Sequence, residues 1–235
     1  MKVGIMQPYF FPYIGYFQLI NLVDVFVVYD EIEYTKKGWI NRNRILSKGN
    51  GTDELITIPI KKDSDFLNVN QRFLADDFLK INEKTLRKIK SNYSKSPFFT
   101  NVYPLLQNIF LNQEKNLFHF IYYSLKEITS YLNINTELVI SSSLDFDNGL
   151  KGEEKVISIC KSLNASEYLN PSGGTSLYKK ENFLANNINL EFIKPDNIVY
   201  KQFGNVFIES LSIIDVMMFN APETISIMLN KYKKL

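Results

Sequence analysis

The chain has 235 residues, of which 45% are hydrophobic and 22% are charged, the balance of a folded protein rather than a disordered one. Its 27 basic and 25 acidic residues leave a net charge of +2, which argues against a dedicated nucleic-acid-binding protein but allows a local basic patch. One cysteine and one histidine exclude an internal disulfide and a Cys/His zinc site, which needs about four such ligands, so no metal site is predicted.

The N-terminus and the hydropathy pattern indicate a cytoplasmic protein. The start, MKVGIMQPYF, lacks the basic region and the apolar core of a signal peptide. No apolar run approaches the ~20 residues that a membrane-spanning helix needs. We therefore expect no membrane span, whereas the oligomeric state stays open.

Apolar runs of strand length alternate with segments of helical periodicity. Strands are predicted for KVGIM (2–6), DVFVVYD (24–30), LITIPI (55–60), TELVISSS (136–143), SEYLN (166–170) and NLEFIK (189–194). The stretch LNVNQRFL (67–74) alternates and predicts a further strand or edge. Helices are predicted for 13–23, 76–132, 151–163 and 179–187, and for two closing segments, the first a capping box of Ser212 and Asp215. This order predicts one α/β domain, residues 1–235, with a mostly parallel sheet and a helical insertion or lid at about 76–132.

The stretch MQPYFFPYIGYFQLI (6–20) joins the first strand to the first helix. In open α/β sheets, ligands bind at the carboxyl ends of the strands, and a helix N-terminus there suits a phosphate. Gly15 would allow close backbone approach. Phe10, Phe11 and Phe17 are better explained by core packing. A polar group among apolar neighbours needs a partner, on a ligand or on the protein, which makes three residues candidates: Gln7, Tyr13 and Tyr16.

The basic loop YDEIEYTKKGWINRNRI is the second candidate site. It carries four positive charges within nine residues, two asparagines and the only tryptophan: Lys36, Lys37, Trp39, Asn41, Arg42, Asn43 and Arg44. Arginine can clamp a phosphate or carboxylate, and an indole beside it can stack on a sugar or base. The alternative is a solvated loop that Trp39 anchors to the core. If NRNRI is extended, Arg42 and Arg44 lie on one face and the asparagines on the other.

Two further features follow predicted strands. Asp30, at the carboxyl end of the second strand, could act as a base, hold a ribose hydroxyl or bind Mg²⁺, and the alternative is an ion pair with Lys36 or Arg42. The loop NPSGGTS offers backbone N–H groups that could cradle an anion, and the alternative is a plain turn. Its candidate residues are Ser172, Gly173, Gly174 and Tyr178.

These motifs resemble the WbqC-like family. The segment MQPYFFPYIGYFQLI…DVFVVYDEIEYTKKGWINRNRI is similar to its N-terminal signature. KGEEKVISICKSLNASEYLNPSGGTSLY and SLSIIDVMMFN are similar to its C-terminal signatures. The resemblance covers nearly the whole chain. It implies an enzyme of bacterial surface polysaccharide (O-antigen) synthesis that transfers a glycyl, another aminoacyl or an acyl group to an amino sugar.

A second resemblance is to the nucleotidylyltransferase and pantothenate-synthetase group, whose first helix opens with His-x-Gly-His. Here Tyr13, Gly15 and Tyr16 occupy that motif, followed by an apolar helix and VDVFVV. The resemblance implies a Rossmann-like, nucleotidylyltransferase-like sheet with a helical insertion and C-terminal helices. A phenol cannot supply the positive charge of an imidazolium, so the two tyrosines put histidine-assisted nucleotidyl transfer in doubt.

Together the resemblances imply a transferase or amide-forming ligase acting on a nucleotide-linked amino sugar. The opening loop would hold phosphate, the loop of Lys36, Lys37, Arg42 and Arg44 would hold a second anion, and Asp30, Tyr13 or Tyr16 would manage the amine proton. ATP with Mg²⁺, an acyl carrier and an aminoacyl-tRNA stay open as sources of the acyl group. Two alternatives remain: a non-catalytic nucleotide- or sugar-binding protein, and an assembly partner of glycosyltransferases.

Overall fold

A computed structural model describes residues 1–49, 51–64, 66–204 and 206–235. Its six-stranded sheet contains β1 (Lys2–Met6), β2 (Val25–Val28), β5 (Glu137–Ile140), β6 (Glu167–Pro171), β7 (Asn189–Pro195) and β8 (Tyr232–Lys234). The spatial order is β5-β2-β1-β6-β7-β8, and all neighbours are parallel except β7 and β8. Numbered along the chain, the five parallel strands have the order 3-2-1-4-5. This confirms the predicted Rossmann-like α/β fold and places its switch point between β1 and β6.

Strand side chains alternate between two apolar cores, one on each face of the sheet. Val3, Ile5 and Val27 pack with the helices α5 (Gly152–Ser162) and α6 (Lys180–Leu184). Phe26 and Val28 pack with the larger core, which includes α1 (Ile14–Leu22). Both faces are therefore covered, which is why the inner strands are continuous apolar runs rather than alternating ones.

Three consecutive helices occupy the block in which an insertion or lid is predicted. They are α2 (Phe78–Tyr93), α3 (Phe99–Phe110) and α4 (Leu117–Tyr131), and their buried faces belong to the larger core. Before them lies an antiparallel hairpin of β3 (Arg42–Leu46) and β4 (Asp53–Thr57), outside the main sheet. The segment 67–74, for which a strand or edge is predicted, forms isolated antiparallel bridges at Asn68, Phe73 and Leu74 rather than a continuous strand. Residues Val69–Gln71 form a 3₁₀ turn, closed by a reciprocal capping box between Asn68 and Gln71.

The C-terminal part contains α7 (Ile213–Phe219) and α8 (Pro222–Leu229), followed by the edge strand β8, which the sequence pattern did not predict. Ser212 caps α7 through its own hydroxyl, which accepts from the N–H of Ile214. The predicted reciprocal bond from Asp215 is wrong, because the carboxylate of Asp215 accepts hydrogen bonds from Tyr93, Tyr200 and Gln202 instead. In the described ranges, every helix is too short or too polar to cross a membrane.

Candidate ligand site

A wide cavity, the large cavity, lies at the carboxyl ends of β1, β2 and β6. Its volume is about 820 Å³, and its walls include Gln7 after β1, Tyr29 after β2 and Asn170 in β6. This edge of the sheet lies at the switch point, where the loops after neighbouring strands diverge and leave a crevice. Volumes of about 300–1,000 Å³ are typical of sites for small molecules and cofactors. The fold therefore supplies a ligand-sized cavity where an open α/β sheet usually binds its ligand.

The N-terminus of α5 opens onto the large cavity. Lys151 and Gly152 line it, and no side chain caps this helix end in the described part of the chain. The N–H groups of Gly152, Glu153 and Glu154 therefore find no acceptor within the described residues. The carboxylate of Glu153 instead accepts from the N–H of Lys179 and from the amide of Asn182 at α6. Free N–H groups and the helix dipole favour an anion at this end of the cavity.

Lys155, one turn into α5, adds a positive charge to the same wall. Its ammonium lies 5.4 Å from the ring centres of both Tyr29 and Phe146, and its side chain is only 13% exposed. The nearest carboxylate oxygen is Oε2 of Glu31, at 4.0 Å, which is too far for a hydrogen bond. Lys155 is thus held in place by two rings while its ammonium keeps donors for another partner.

Asn170 is a buried amide that faces the large cavity. The residue is 5% exposed, and its side chain has no hydrogen-bond partner among the described residues. Its Nδ2 lies against Gly174, where a Cβ atom would come within 2.1 Å. The amide of Asn170 therefore leaves no room for a side chain at Gly174. The amide can therefore offer donors and an acceptor to a ligand in the large cavity.

Four residues that the sequence predicts for substrate binding line the large cavity: Gln7, Gly173, Gly174 and Tyr178. Gly173 has open space where a Cβ would stand, so the glycine loop leaves room beside the ligand. Ser172 begins the 3₁₀ turn of that loop, which spans Ser172–Gly174. Burial raises the pKa of Tyr178, so its phenol stays protonated at neutral pH and can donate a hydrogen bond.

The loop after β1 is held in a strained conformation by the protein itself. Phe11 is fully buried with φ +43°, a left-handed conformation that is rare for a bulky residue. Its carbonyl accepts from Nδ2 of Asn43 at 2.9 Å and from Oγ of Ser212 at 2.8 Å. Phe10 and Phe17 are fully buried as well, as core packing predicts. Asn43, a predicted ligand contact, therefore has a clear structural role.

Tyr16 directs its hydroxyl to the loop before α1, whereas Tyr13 lies over the first turn of the helix. Tyr16 is buried, and its hydroxyl donates to the carbonyl of Gln7. The ring of Tyr13 folds over Gly15, where a Cβ would come within 2.4 Å of it. Burial raises the pKa of both phenols, so neither suits the role of a general base at neutral pH. Gly15 makes room for the Tyr13 ring, which covers this helix end.

The basic loop divides between bonded and exposed residues. A smaller cavity of about 280 Å³, the aromatic cavity, is lined by Tyr9, Pro12, Tyr13, Trp39, Asn43 and Arg44, among others. Arg44 pairs with Asp53 at 3.3 Å and donates to the carbonyl of Glu209. Arg42 donates to the carbonyls of Gly38 and Lys37 and lies 5.9 Å from the Trp39 ring centre.

The remaining residues of the basic loop lie outside both cavities. Lys36 and Lys37 are exposed on the turn before β3. Asn41 is buried and fully bonded, since it donates to the carbonyl of Ile58 and accepts from the hydroxyl of Tyr34. Arg42 and Arg44 lie on the more exposed face of β3 and Asn43 on the buried face, as an extended NRNRI predicts.

Asp30 is buried and its carboxylate is occupied. It accepts from Nδ2 of Asn70 at 2.7 Å, from Oγ of Ser141 at 2.6 Å and from the N–H of Ser142 at 3.0 Å. These bonds tie the carboxyl ends of β2 and β5 together. Asp30 also borders a polar cavity of about 480 Å³, whose walls include Glu31, Asn68, Asn70 and His119. Glu31 and Asn68 line the large cavity as well, so the two cavities share a wall.

Fold and cavity define a class of protein: an α/β protein with a Rossmann-like sheet and a ligand cavity at its switch point. The WbqC-like protein family model matches residues 7–227. The chain is 32% identical over 220 residues to the uncharacterized protein Rv1507c of Mycobacterium tuberculosis, an alignment that covers 92% of each chain. No solved structure matches it. The chain therefore belongs to the WbqC-like family.

Proposed function

We propose that this protein is a cytoplasmic enzyme of bacterial surface polysaccharide synthesis that binds a nucleotide-linked amino sugar in the large cavity and forms an amide on its amino group. The observation that carries the proposal is the start of α5. Its uncapped N–H groups, Lys151 and Lys155 face one cavity at the switch point of the sheet. A helix N-terminus joined by lysines is suited to a phosphate or diphosphate.

The rest of the large cavity fits the other parts of such a ligand. Its rings, Tyr29 and Tyr178, can pack on a base or sugar face. Asn170 offers an amide that has no hydrogen-bond partner among the described residues and can both donate to and accept from hydroxyl groups. A volume of about 820 Å³ is large enough for a nucleoside diphosphate with a sugar attached. These features support a nucleotide sugar over a simple phosphate ester.

Amide formation is supported by the family membership and by the likeness to carboxylate-activating enzymes. The glycyl, aminoacyl or acyl donor would arrive after activation by ATP with Mg²⁺, on an acyl carrier, or on an aminoacyl-tRNA. The amine must be neutral when it attacks, so a proton acceptor is required. Asp30 already accepts three hydrogen bonds, and burial raises the pKa of Tyr13 and Tyr16. The proton acceptor is therefore a group other than Asp30, Tyr13 and Tyr16.

One observation favours the alternative of a non-catalytic binding protein. The Tyr13 ring covers the start of α1, where the nucleotidylyltransferase group positions its histidines over phosphate. A chain that lost this chemistry could still bind a nucleotide sugar at α5. Turnover separates the alternatives: an enzyme consumes the acyl donor and releases the N-acylated nucleotide sugar, whereas a binding protein leaves both unchanged.

The binding claim is tested by thermal unfolding of wild type, Lys155→Met and Lys161→Met with nucleotide-linked amino sugars, nucleoside diphosphates and ATP, each with and without Mg²⁺. Ligand at about 100 times Kd stabilises the fold by about 2.7 kcal/mol. For a chain of this size that raises Tm by about 5–10 °C. We expect Lys155→Met to lose most of this shift. Lys161→Met, which removes the same charge from the last turn of α5, should keep it. No shift with any nucleotide would contradict the proposal.

A further inference from the structure

Two buried oxygen atoms lack donors among the described residues, one on Glu31, which lines both the large and the polar cavity, and one on Asn70, which lines the polar cavity. Oε2 of Glu31 and Oδ1 of Asn70 are both buried, and neither has a hydrogen-bond partner in the described part of the chain. The Asn70 amide is oriented by Asp30, which accepts from its Nδ2 and so turns Oδ1 away. Buried acceptors normally have donors, and each exception calls for an explanation.

Glu31 also lies close to the cation of the anion-binding wall. The ammonium of Lys155 is 4.0 Å from Oε2 of Glu31, and the side chain of Lys155 is confined by Tyr29 and Phe146. An anion bound between Lys155 and the start of α5 would draw that ammonium away from Glu31. The Glu31 carboxylate would then lose its nearest positive charge, and a cationic group of the ligand, a few ångströms from the bound anion, could replace it.

We propose that Glu31 recognises the amino group of the ligand, as an ammonium that lies a few bonds from the ligand's phosphate. This inference rests on the proposed function, because the phosphate must occupy the start of α5. The ammonium offers three N–H donors, and Glu31 offers a carboxylate oxygen that has no donor among the described residues. Oε2 of Glu31 is turned away from solvent, so the ligand engages Glu31 after its terminal carboxylate rotates, a torsion with a broad and shallow profile.

The geometry favours an amine over a hydroxyl group at this position. A carboxylate accepts from either, but only the ammonium carries the charge that replaces Lys155 beside Glu31. The class of substrate is thus a nucleoside diphosphate bearing a primary amine on its sugar. The N-acylated product has neither the charge nor two of the three donors, so it should bind less tightly than the substrate.

The test is calorimetric titration with three ligands that share one nucleotide: the nucleoside diphosphate alone, its amino sugar and the matching hydroxyl sugar, all in EDTA. Wild type should bind the amino sugar about 10- to 100-fold more tightly than the hydroxyl sugar, as a hydrogen bond between charged groups implies. Glu31→Gln should lose that preference and bind the nucleoside diphosphate at least as well as wild type. The control is Glu137→Gln at the amino end of β5, whereas the large cavity lies at the carboxyl ends of the strands, and this variant should keep the preference for the amino sugar.

Each result decides one claim. No binding of the nucleoside diphosphate would overturn the proposed function itself. Binding without a preference for the amine in wild type would overturn only the role of Glu31, and that measurement needs no variant to fold. A preference that survives in Glu31→Gln, or one that requires a divalent cation, would overturn it as well.

Discussion

Asn170 and Asn41 form a matched pair that tests the proposed ligand-binding role of the Asn170 amide against an amide with a structural role. The two residues are almost equally buried, at 5% and 6% exposed. Asn41 makes two side-chain hydrogen bonds, whereas the amide of Asn170 makes none with the described residues. The perturbation is the same in both cases, a change to alanine.

The expected costs follow from those bonds. Asn41→Ala leaves the carbonyl of Ile58 and the hydroxyl of Tyr34 unpaired in the interior. At about 1–3 kcal/mol for each of the two unpaired groups, the variant should lose about 2–6 kcal/mol of unfolding free energy. Asn170→Ala breaks no side-chain hydrogen bond to the described residues, so its unfolding free energy should stay within about 1 kcal/mol of wild type. Its affinity for a nucleotide sugar should fall about 5- to 10-fold, as the loss of hydrogen bonds to sugar hydroxyl groups implies.

The assay is urea unfolding of the ligand-free protein at 25 °C, followed by calorimetric titration of the folded variants. Asn41→Ala, if still folded, should bind ligand like wild type, because Asn41 lies outside the large cavity. The reasoning is refuted if Asn170→Ala loses more than about 2 kcal/mol, or if it binds nucleotide sugars as tightly as wild type.

Three further predictions concern packing, reactivity and pH. Gly174→Ala should weaken ligand binding and destabilise the fold because its Cβ would come within 2.1 Å of the Asn170 amide, and a double-mutant cycle should show that Asn170→Ala relieves most of this cost. Burial raises the pKa of the Cys160 thiol to about 12, so thiol reagents at pH 8 should modify it only after unfolding in urea, and fast labelling of the folded protein would contradict this. Burial also raises the pKa of the Asp215 carboxyl group. Its neutral form therefore contributes to the free energy of unfolding in full below the pKa of about 3.9 that it has in the unfolded chain, and this contribution is lost as the pH rises through the higher pKa of the folded protein. Urea unfolding from pH 4 upwards should therefore show wild type losing stability relative to Asp215→Asn, and a constant difference would count against it.

The sheet could be predicted because its inner strands are apolar on both faces. KVGIM, DVFVVYD and SEYLN all become neighbours in the sheet, and their spacing by helices dictates parallel crossovers. The strand Tyr232–Lys234 escaped prediction because it is short, polar and at the edge, so its pairing with β7 leaves no apolar pattern. The alternation of apolar and polar residues in 67–74 is typical of a strand, but the pair Asn68 and Gln71 forms a capping box that stabilises a 3₁₀ turn instead.

The candidate site could be predicted only in part, since loops after parallel strands are recognisable but their partners are not. Gln7 and the glycine loop were identified from their places after β1 and β6, and both border the large cavity. Lys155 and Asn170 were not identified from the sequence. Lys155 lies in KGEEKVISICKSL, an ordinary amphipathic helix pattern, and a single asparagine at the end of a predicted strand does not indicate a binding site. Both belong to the segment that resembles the family's C-terminal signature, which was the available clue. Their importance depends on the strand order, which brings α5 and β6 to the same edge.

Binding of ligand phosphate at the start of α5 is tested most directly by a crystal structure of the protein with a nucleotide-linked amino sugar. We expect phosphate oxygens within hydrogen-bond distance of the N–H groups of Gly152 and Glu153 and of the ammonium of Lys155, with the sugar beside Asn170. A nucleotide bound in the aromatic cavity at Trp39, or at the start of α1, would contradict it.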